Sequence, residues 1–188
     1  MCLRNTNHSP RNMNKKDLRN FIRMQKSQFT PAELKEMSQE IVRRLMVHPR
    51  VKNSNTIMMY YSLDDEVDTH EVIDQLVKAG KKVLLPAVIS DTEMELRCYE
   101  GPKDLVGGFF HIMEPIGKTF TDYAQIEVAV VPGMGFDSRC NRLGRGKGYY
   151  DRFLPQIPNA YKIGICFDFQ KMPGIPADVN DIKVDEVL

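Results

Sequence analysis

The 188-residue chain has no tryptophan, only four cysteines and a formal charge of +1 at neutral pH. Cys2, Cys98, Cys140 and Cys166 form no C-x-x-C pair, and no histidine stands at metal-ligand spacing from them. The sequence therefore predicts neither a zinc site nor a disulfide framework, and reduced thiols indicate the cytoplasm. A net charge near zero gives no global field to attract nucleic acid or a membrane surface.

Long hydrophobic runs are also absent. The apolar run at residues 83–89 falls far short of the ~20 residues that span a bilayer. Residues 1–12 lack the apolar core of a signal peptide, and we expect them to be a disordered extension. Residues 13–188 are predicted to form a single soluble domain, a monomer or weak homodimer with small-molecule substrates.

Two helices are predicted first. Apolar positions near helical spacing predict a helix from Asn14 to about Phe29, with Leu18, Ile22 and Met24 on its apolar face. The residues from Thr30 to Glu33 form a capping box that begins a second helix.

Strands and helices then alternate. Residues 56–61 and 82–86 are predicted strands on either side of a helix, and residues 94–99 alternate like an exposed or edge strand. Residues 128–131 and 162–166 flank a further loop and helix. Two β-α-β units predict an α/β fold, a single-domain, open, mainly parallel sheet with helices on both faces, in a Rossmann-like three-layer sandwich.

The loop at residues 141–151 is the most informative feature. Its three alternating glycines allow backbone N–H groups to approach an anion, and its cationic side chains add charge-assisted hydrogen bonds. A helix at residues 149–154 is predicted to begin beside the same anion. Neither the Walker A nor the G-x-G-x-x-G pattern fits, so the loop alone is compatible with a solvated turn, a general polyanion site or a nucleotide site.

The wider segment is more specific. Val131-Pro132-Gly133-Met134-Gly135-Phe136-Asp137, followed by the loop, closely resembles the signature of the 5-formyltetrahydrofolate cyclo-ligase family. Further matching blocks lie in the same order at residues 15–19, 65–69 and 180–187, so the resemblance covers the chain from Met13 onward. It implies conversion of 5-formyltetrahydrofolate to 5,10-methenyltetrahydrofolate through a phosphorylated formyl intermediate, with consumption of ATP, dependence on Mg²⁺ and release of ADP and phosphate.

The resemblance also implies roles for particular residues. Arg145 and Lys147 are the implied catalytic cations, and Asp151 and Asp181 the implied Mg²⁺ ligands. Residues implied in ATP binding are Lys15, Lys16, Arg19, Arg142, Gly144, Arg145, Gly146, Lys147, Gly148, Tyr149 and Tyr150. Those implied in folate binding are Tyr61, Glu66, Phe110, Tyr149 and Tyr150.

The residues taken alone allow plainer interpretations. Asp151 fits a helix cap or a salt bridge, Asp181 fits a turn, and Lys15 and Arg19 fit solvated charges on one helical face. An acidic loop follows the first predicted strand. Apart from Glu66, its acidic residues Asp64, Asp65 and Asp68 are predicted to face solvent or cap a helix, with Asp68 as the cap and Glu71 at N3.

Two other functions compete with the enzyme prediction. One is a non-catalytic regulator that binds nucleotide or folate, and the other is an enzyme resembling sugar-phosphate isomerases. Product formation would separate the enzyme from the regulator. ATP dependence would separate it from the isomerase.

Overall fold

The computed structural model describes residues 13–108 and 113–188. The predicted disorder of residues 1–12 and the predicted substrate contact of Phe110 lie outside these residues. The α-helices of the described residues are α1 (Lys15–Lys26), α2 (Pro31–Val47), α3 (Pro49–Asn53), α4 (His70–Lys78) and α5 (Tyr149–Phe153).

Short strands make up the rest of the regular structure. They are β1 (Thr56–Met58), β2 (Lys82–Val88), β3 (Met94–Tyr99), β4 (Leu105–Gly107), β5 (Met113–Pro115), β6 (Thr119–Phe120), β7 (Val128–Val131), β8 (Gly135–Asp137), β9 (Arg142–Leu143), β10 (Tyr161–Gly164), β11 (Lys171–Met172) and β12 (Glu186–Val187). A central sheet has the order β12-β10-β7-β1-β2-β3-β6. Two small sheets have the orders β11-β8-β9 and β4-β5.

The central sheet is mainly parallel, as predicted. The pairings β12–β10, β10–β7, β7–β1 and β1–β2 are parallel, whereas β2–β3 and β3–β6 are antiparallel. The prediction of β3 as an exposed or edge strand was wrong. β6 pairs with its outer side through Leu96–Phe120 and Arg97–Thr119, so β3 is an inner strand over that stretch.

Helices cover both faces of this sheet. Successive strand residues point to opposite faces, so Ile57 packs in one cluster and Met58 in another. The first cluster includes Leu45 of α2 and Ile73 of α4. The second includes Phe153 of α5. The three-layer arrangement predicted from the sequence is therefore confirmed.

Helix α1 packs against the small sheet β11-β8-β9 and not against the central sheet. Its buried residues Leu18 and Ile22 join a separate cluster with Leu143 of β9. Gly135 of β8 permits a close approach, because a Cβ there would lie 2.9 Å from Ile22 Cδ1. The prediction that Met24 lies on the apolar face was wrong, since it is 68% exposed.

The starts of the helices follow local hydrogen bonding. Asn14 accepts from the backbone N–H of Asp17 at 3.0 Å, and the capping box that Thr30 begins is present. A cap at Asp68 predicts that α4 begins at Thr69, but the helix begins one residue later, at His70. Thr69 occupies the N-cap position, and Asp68 Oδ1 accepts from the backbone N–H of His70 at 3.0 Å.

Among the described residues, every helix is too short or too polar to cross a membrane.

The packing of α1 generates a stability prediction. Ile22→Ala should lower the free energy of unfolding by about 2–5 kcal/mol, because it removes a fully buried side chain and leaves a cavity. Met24→Ala, on the exposed face of the same helix, should change it by less than ~0.5 kcal/mol. Urea unfolding followed by circular dichroism measures both. Equal losses would mean that α1 buries a different face.

Candidate functional site

The glycine-rich loop, residues 144–148, connects β9 to α5, and Arg142 lies beneath it. The Arg142 side chain is 4% exposed, and its Nη2 donates to both carboxylate oxygens of Asp151 at 3.0 Å. Its Nη1 donates to the carbonyl of Pro132 at 3.3 Å. Its buried Nε has no hydrogen-bond partner within the described ranges. Asp151 and the Pro132 carbonyl therefore fix the direction of this guanidinium, which places a cation in the wall of a cavity beside the loop.

Two glycines of the loop have backbone conformations that other residues avoid. Gly146 has φ +106° and Gly148 has φ +71°, both in the left-handed region. Gly148 is also the residue before α5, which begins at Tyr149 as predicted but contains only five residues. So short a helix contributes little dipole, and the charge of the site comes mainly from side chains.

One cavity, here called the polar cavity, lies on one side of the loop and has a volume of about 170 Å³. Arg19 of α1 fastens the loop there, because its Nε donates to the carbonyl of Gly144 at 2.8 Å. The polar cavity is lined by Lys15, Arg19, Arg142, Leu143, Gly144, Gly146, Gly148, Asp151 and Asp181. Three cations and three glycines at one small cavity provide an environment for phosphate.

The acidic side chains of the polar cavity come from two parts of the chain. Asp151 Oδ1 accepts from the backbone N–H of Ile182 at 3.3 Å, which draws Asp181 to the same place. Asp181 Oδ2 accepts from Lys15 Nζ at 2.5 Å. Burial raises the pKa of Asp181, but the hydrogen bonds from Lys15 and the Asp178 backbone outweigh it and hold that pKa below its usual value. Asp181 is therefore ionised at neutral pH.

These two carboxylates fit a magnesium ion with few protein ligands. Mg²⁺ is usually held by one or two carboxylates, with waters and phosphate oxygens completing its shell. In residues 13–108 and 113–188, no group of three or more His, Cys, Asp or Glu side chains is arranged to hold a metal alone. The donor set of Asp151 and Asp181 thus matches an ion that arrives with phosphate.

A second cavity, here called the apolar cavity, lies on the other side of the loop and has a volume of about 390 Å³. Its walls are mostly carbon, with Glu66, Arg145 and Lys147 among the polar exceptions. It is lined by Tyr60, Tyr61, Leu63, Glu66, Pro86, Val88, Met113, Pro115, Pro132, Gly133, Arg142, Gly144, Arg145, Lys147, Gly148, Tyr149, Tyr150 and Asp151.

The two cavities have four lining residues in common. Arg142, Gly144, Gly148 and Asp151 line both, so the base and the backbone of the loop form the wall between them. Molecules bound in both cavities at once would meet across this wall. Chemically, the polar cavity suits a phosphate group and the apolar cavity suits a molecule with a large flat apolar part.

Aromatic rings provide flat surface in the apolar cavity. Tyr61 stacks on His70 with ring centroids 4.0 Å apart. The hydroxyl of Tyr149 donates to the carbonyl of Ser90 at 3.1 Å, which fastens the start of α5 to the turn between β2 and β3. Burial and the nearby Glu66 raise the pKa of Tyr150, so its hydroxyl stays protonated.

Arg145 reaches back to the acidic loop after β1. Its Nε and Nη2 donate to Glu66 Oε1 at 3.1 and 2.9 Å, and its Nη2 also donates to Asp65 Oδ1 at 2.7 Å. Asp65 Oδ2 accepts from Lys26 Nζ at 3.0 Å. Burial raises the pKa of Asp65, and the two cations outweigh this effect and lower it. The Asp65 side chain is 45% exposed, so it faces solvent as predicted, but its two ion pairs were not predicted.

Most predicted site residues converge on these cavities. Lys16 does not, because it is exposed on α1 and lines neither cavity. Two residues were not predicted to belong to the site: Tyr60, which lines the apolar cavity, and Lys26, which lines neither cavity but pairs with Asp65. Tyr60 has only the strand-forming run around it as a signal, but Lys26 follows Leu18 and Ile22 at intervals of four and so occupies the apolar face.

Fold and site together define an α/β protein with a cationic glycine-rich loop between two cavities. This class includes enzymes that act on a phosphate-containing substrate and a second substrate. A model of the 5-formyltetrahydrofolate cyclo-ligase family matches residues 11–188. The chain belongs to this family, and it is a ligase of one-carbon folate metabolism.

Individual relatives agree with this assignment. The chain is 31% identical over 174 residues to the 5-formyltetrahydrofolate cyclo-ligase of Escherichia coli K12, covering 89% of this chain and 96% of the relative. The mouse cyclo-ligase is 29% identical over 190 residues, with 94% of each chain covered. The 5,10-methenyltetrahydrofolate synthetase of Aquifex aeolicus superposes with a TM-score of 0.81 at 32% identity, covering 93% of this chain and 89% of the other.

The backbone of the loop generates a second prediction. Gly148→Ala should lower the free energy of unfolding by about 1–2 kcal/mol, the cost of left-handed backbone for a residue with a Cβ. Gly148→Asn should cost less, because asparagine tolerates that conformation. Gly174→Ala is the control, since a Cβ there meets nothing within 4 Å and its φ is not left-handed. Thermal unfolding measures all three variants. An Ala variant as stable as the parent would mean that the loop relaxes without cost.

Proposed function

We propose that the enzyme converts 5-formyltetrahydrofolate to 5,10-methenyltetrahydrofolate, using ATP and Mg²⁺ and releasing ADP and phosphate. One observation carries this proposal. The glycine-rich loop is the common wall of the polar cavity, which suits a triphosphate, and the apolar cavity, which suits a pteridine. A phosphoryl group held by the loop would therefore face the second substrate.

The chemistry proceeds in two steps that balance. The formyl oxygen attacks the γ-phosphorus, a new O–P bond forms, and the bond to the β-phosphate oxygen breaks, so ADP leaves with the electron pair. The formyl carbon is then an electrophile joined to N5. N10 attacks this carbon and loses its proton, and the C–O bond breaks to release phosphate and the methenyl product.

Side chains of the loop supply charge for the first step. Arg145 and Lys147 are the proposed catalytic cations, and Lys15, Arg19 and Arg142 are proposed to hold the triphosphate. Phosphoryl transfer depends mainly on positioning and on stabilising charge at the moving group. Arg142 lines the polar cavity, which supports its part in this assignment.

Asp151 and Asp181 are the proposed Mg²⁺ ligands. Bound Mg²⁺ would neutralise charge on the phosphate oxygens. Lys15 already contacts Asp181, so its ammonium and the metal would both lie beside the same phosphates. The chain's own contribution is to keep both carboxylates ionised and close to the loop.

The apolar cavity is proposed to bind the folate. Glu66 is 13% exposed and one of its oxygens already accepts from the backbone N–H of Leu63, so its carboxylate is held in a fixed direction. A fixed carboxylate can accept two N–H bonds from the aminopyrimidine edge of a pterin. Tyr61, Tyr149 and Tyr150 supply the flat surfaces.

The decisive experiment follows the absorbance of the methenyl product. Purified protein, 5-formyltetrahydrofolate, ATP and Mg²⁺ should together give a rising absorbance, because the formyl oxygen is activated only by phosphoryl transfer. Omission of any one component should give a flat trace. A flat trace from folded protein with all components present would refute the proposed function.

Lys147 offers the sharpest test within the loop. Its side chain is exposed and makes no ion pair in the part of the chain that the structure describes, so Lys147→Ala should leave the melting temperature unchanged. Turnover should fall about 100-fold, the scale for loss of one charge-stabilising donor. Lys171→Ala, at the exposed ion pair with Asp168, is the matched control. Normal turnover in the Lys147 variant would remove it from the catalytic machinery.

A further inference from the structure

The Asp65 carboxylate is held on both sides by cations from different parts of the chain. Its Oδ1 accepts from Arg145 of the glycine-rich loop, and its Oδ2 accepts from Lys26 at the end of α1. Each oxygen therefore has its own cationic donor. This arrangement fixes the direction of the carboxylate and, through it, the position of the Arg145 guanidinium.

Lys26 stands in a position that packing alone would give to an apolar residue. It extends the buried face of Leu18 and Ile22, and its side chain is 9% exposed. The desolvation of a buried charge offsets most of what an ion pair contributes, so such a pair is weak evidence for stability. Its geometric effect on Asp65 is the more informative property.

Arg145 has two carboxylate partners, and only one of them, Glu66, is proposed to bind substrate. Glu66 is the proposed acceptor for the pterin, and it now accepts from both Nε and Nη2 of Arg145. A substrate bound to Glu66 would compete with Arg145 for that carboxylate. Asp65 is the second carboxylate partner that can keep Arg145 in the wall of the apolar cavity.

We propose that Asp65 and Lys26 are positioning residues that hold Arg145 beside the reacting phosphoryl group when substrate occupies Glu66. The inference rests on the proposed function and on the proposed role of Arg145. Helix α1 then supports the glycine-rich loop in two ways. Arg19 donates to the Gly144 carbonyl, and Lys26 pairs with Asp65, which in turn pairs with Arg145.

The test separates positioning from binding. Asp65→Asn should lower kcat about 10- to 100-fold while the KM values for ATP and folate change less than about threefold, because a misplaced catalytic group costs turnover. Lys26→Met keeps the apolar stem and should lower kcat in the same direction by a smaller factor. Lys171→Met and Asp168→Asn, at an exposed Lys–Asp pair 2.8 Å apart, should leave kcat unchanged.

A double-mutant cycle with Arg145→Ala gives the decisive readout. If Asp65 acts through Arg145, Asp65→Asn should change kcat by less than about twofold in the Arg145→Ala background. An equal loss in both backgrounds, or an unchanged kcat in the Asp65→Asn single variant, would overturn the proposal. Loss of kcat in Lys26→Met that persists in the Arg145→Ala background would overturn it as well. A parent enzyme that forms no methenyl product would instead refute the proposed function.

Discussion

The buried ion pair between Arg142 and Asp151 is the constraint on which the site depends. The guanidinium lies beneath the glycine-rich loop, where an unpaired charge would cost about 3–5 kcal/mol. Asp151 removes that cost and also accepts from the backbone N–H of Ile182. One carboxylate thus joins the base of the loop to the C-terminal segment and brings Asp181 to the polar cavity.

The order of strands in the sheet brings together the acidic loop after β1 and the glycine-rich loop. β1 and β7 are parallel neighbours, so the segments that follow them leave the same edge of the sheet. Ligands in open α/β sheets bind beyond the carboxyl ends of the strands. Glu66 and Arg145, 79 residues apart in the chain, therefore lie within hydrogen-bonding distance. The same geometry lets one loop form a wall of both cavities.

The cations of the site lie close together, and several of them are paired with at least one carboxylate. Lys15 pairs with Asp178 and Asp181, Arg142 with Asp151, and Arg145 with Asp65 and Glu66. Each acid offsets repulsion among the cations without removing them from the cavities. On the proposed function, a bound phosphate would replace one anionic partner of these cations with another. The free protein and a phosphate complex can accordingly use the same framework of side chains.

Some sequence predictions failed for physical reasons that can be named. The alternation of residues 94–99 indicated an exposed or edge strand, but the short β6 pairs outside β3, and two residues of strand give too weak a local pattern to predict. The sequence predicts Asp68 as the N-cap residue, but α4 begins at His70 and Thr69 is its N-cap residue, although the Asp68 carboxylate still accepts from the backbone N–H of His70. The two cationic partners of Asp65 could not be predicted, because neither of them is near Asp65 in the chain.

The sequence by itself determined the α/β class, the cap positions of α1 and α2, and the glycine-rich loop, because these depend on periodicity, local hydrogen bonds and backbone freedom between near neighbours. The family could also be predicted from the sequence, through motifs that are contiguous. Only the tertiary structure decided that the loop separates two cavities, that α1 packs on the small sheet, and that Lys26 and Arg145 meet at Asp65. Those contacts join residues 39 and 80 positions apart, and their partners are selected by strand order and packing, which no local pattern encodes.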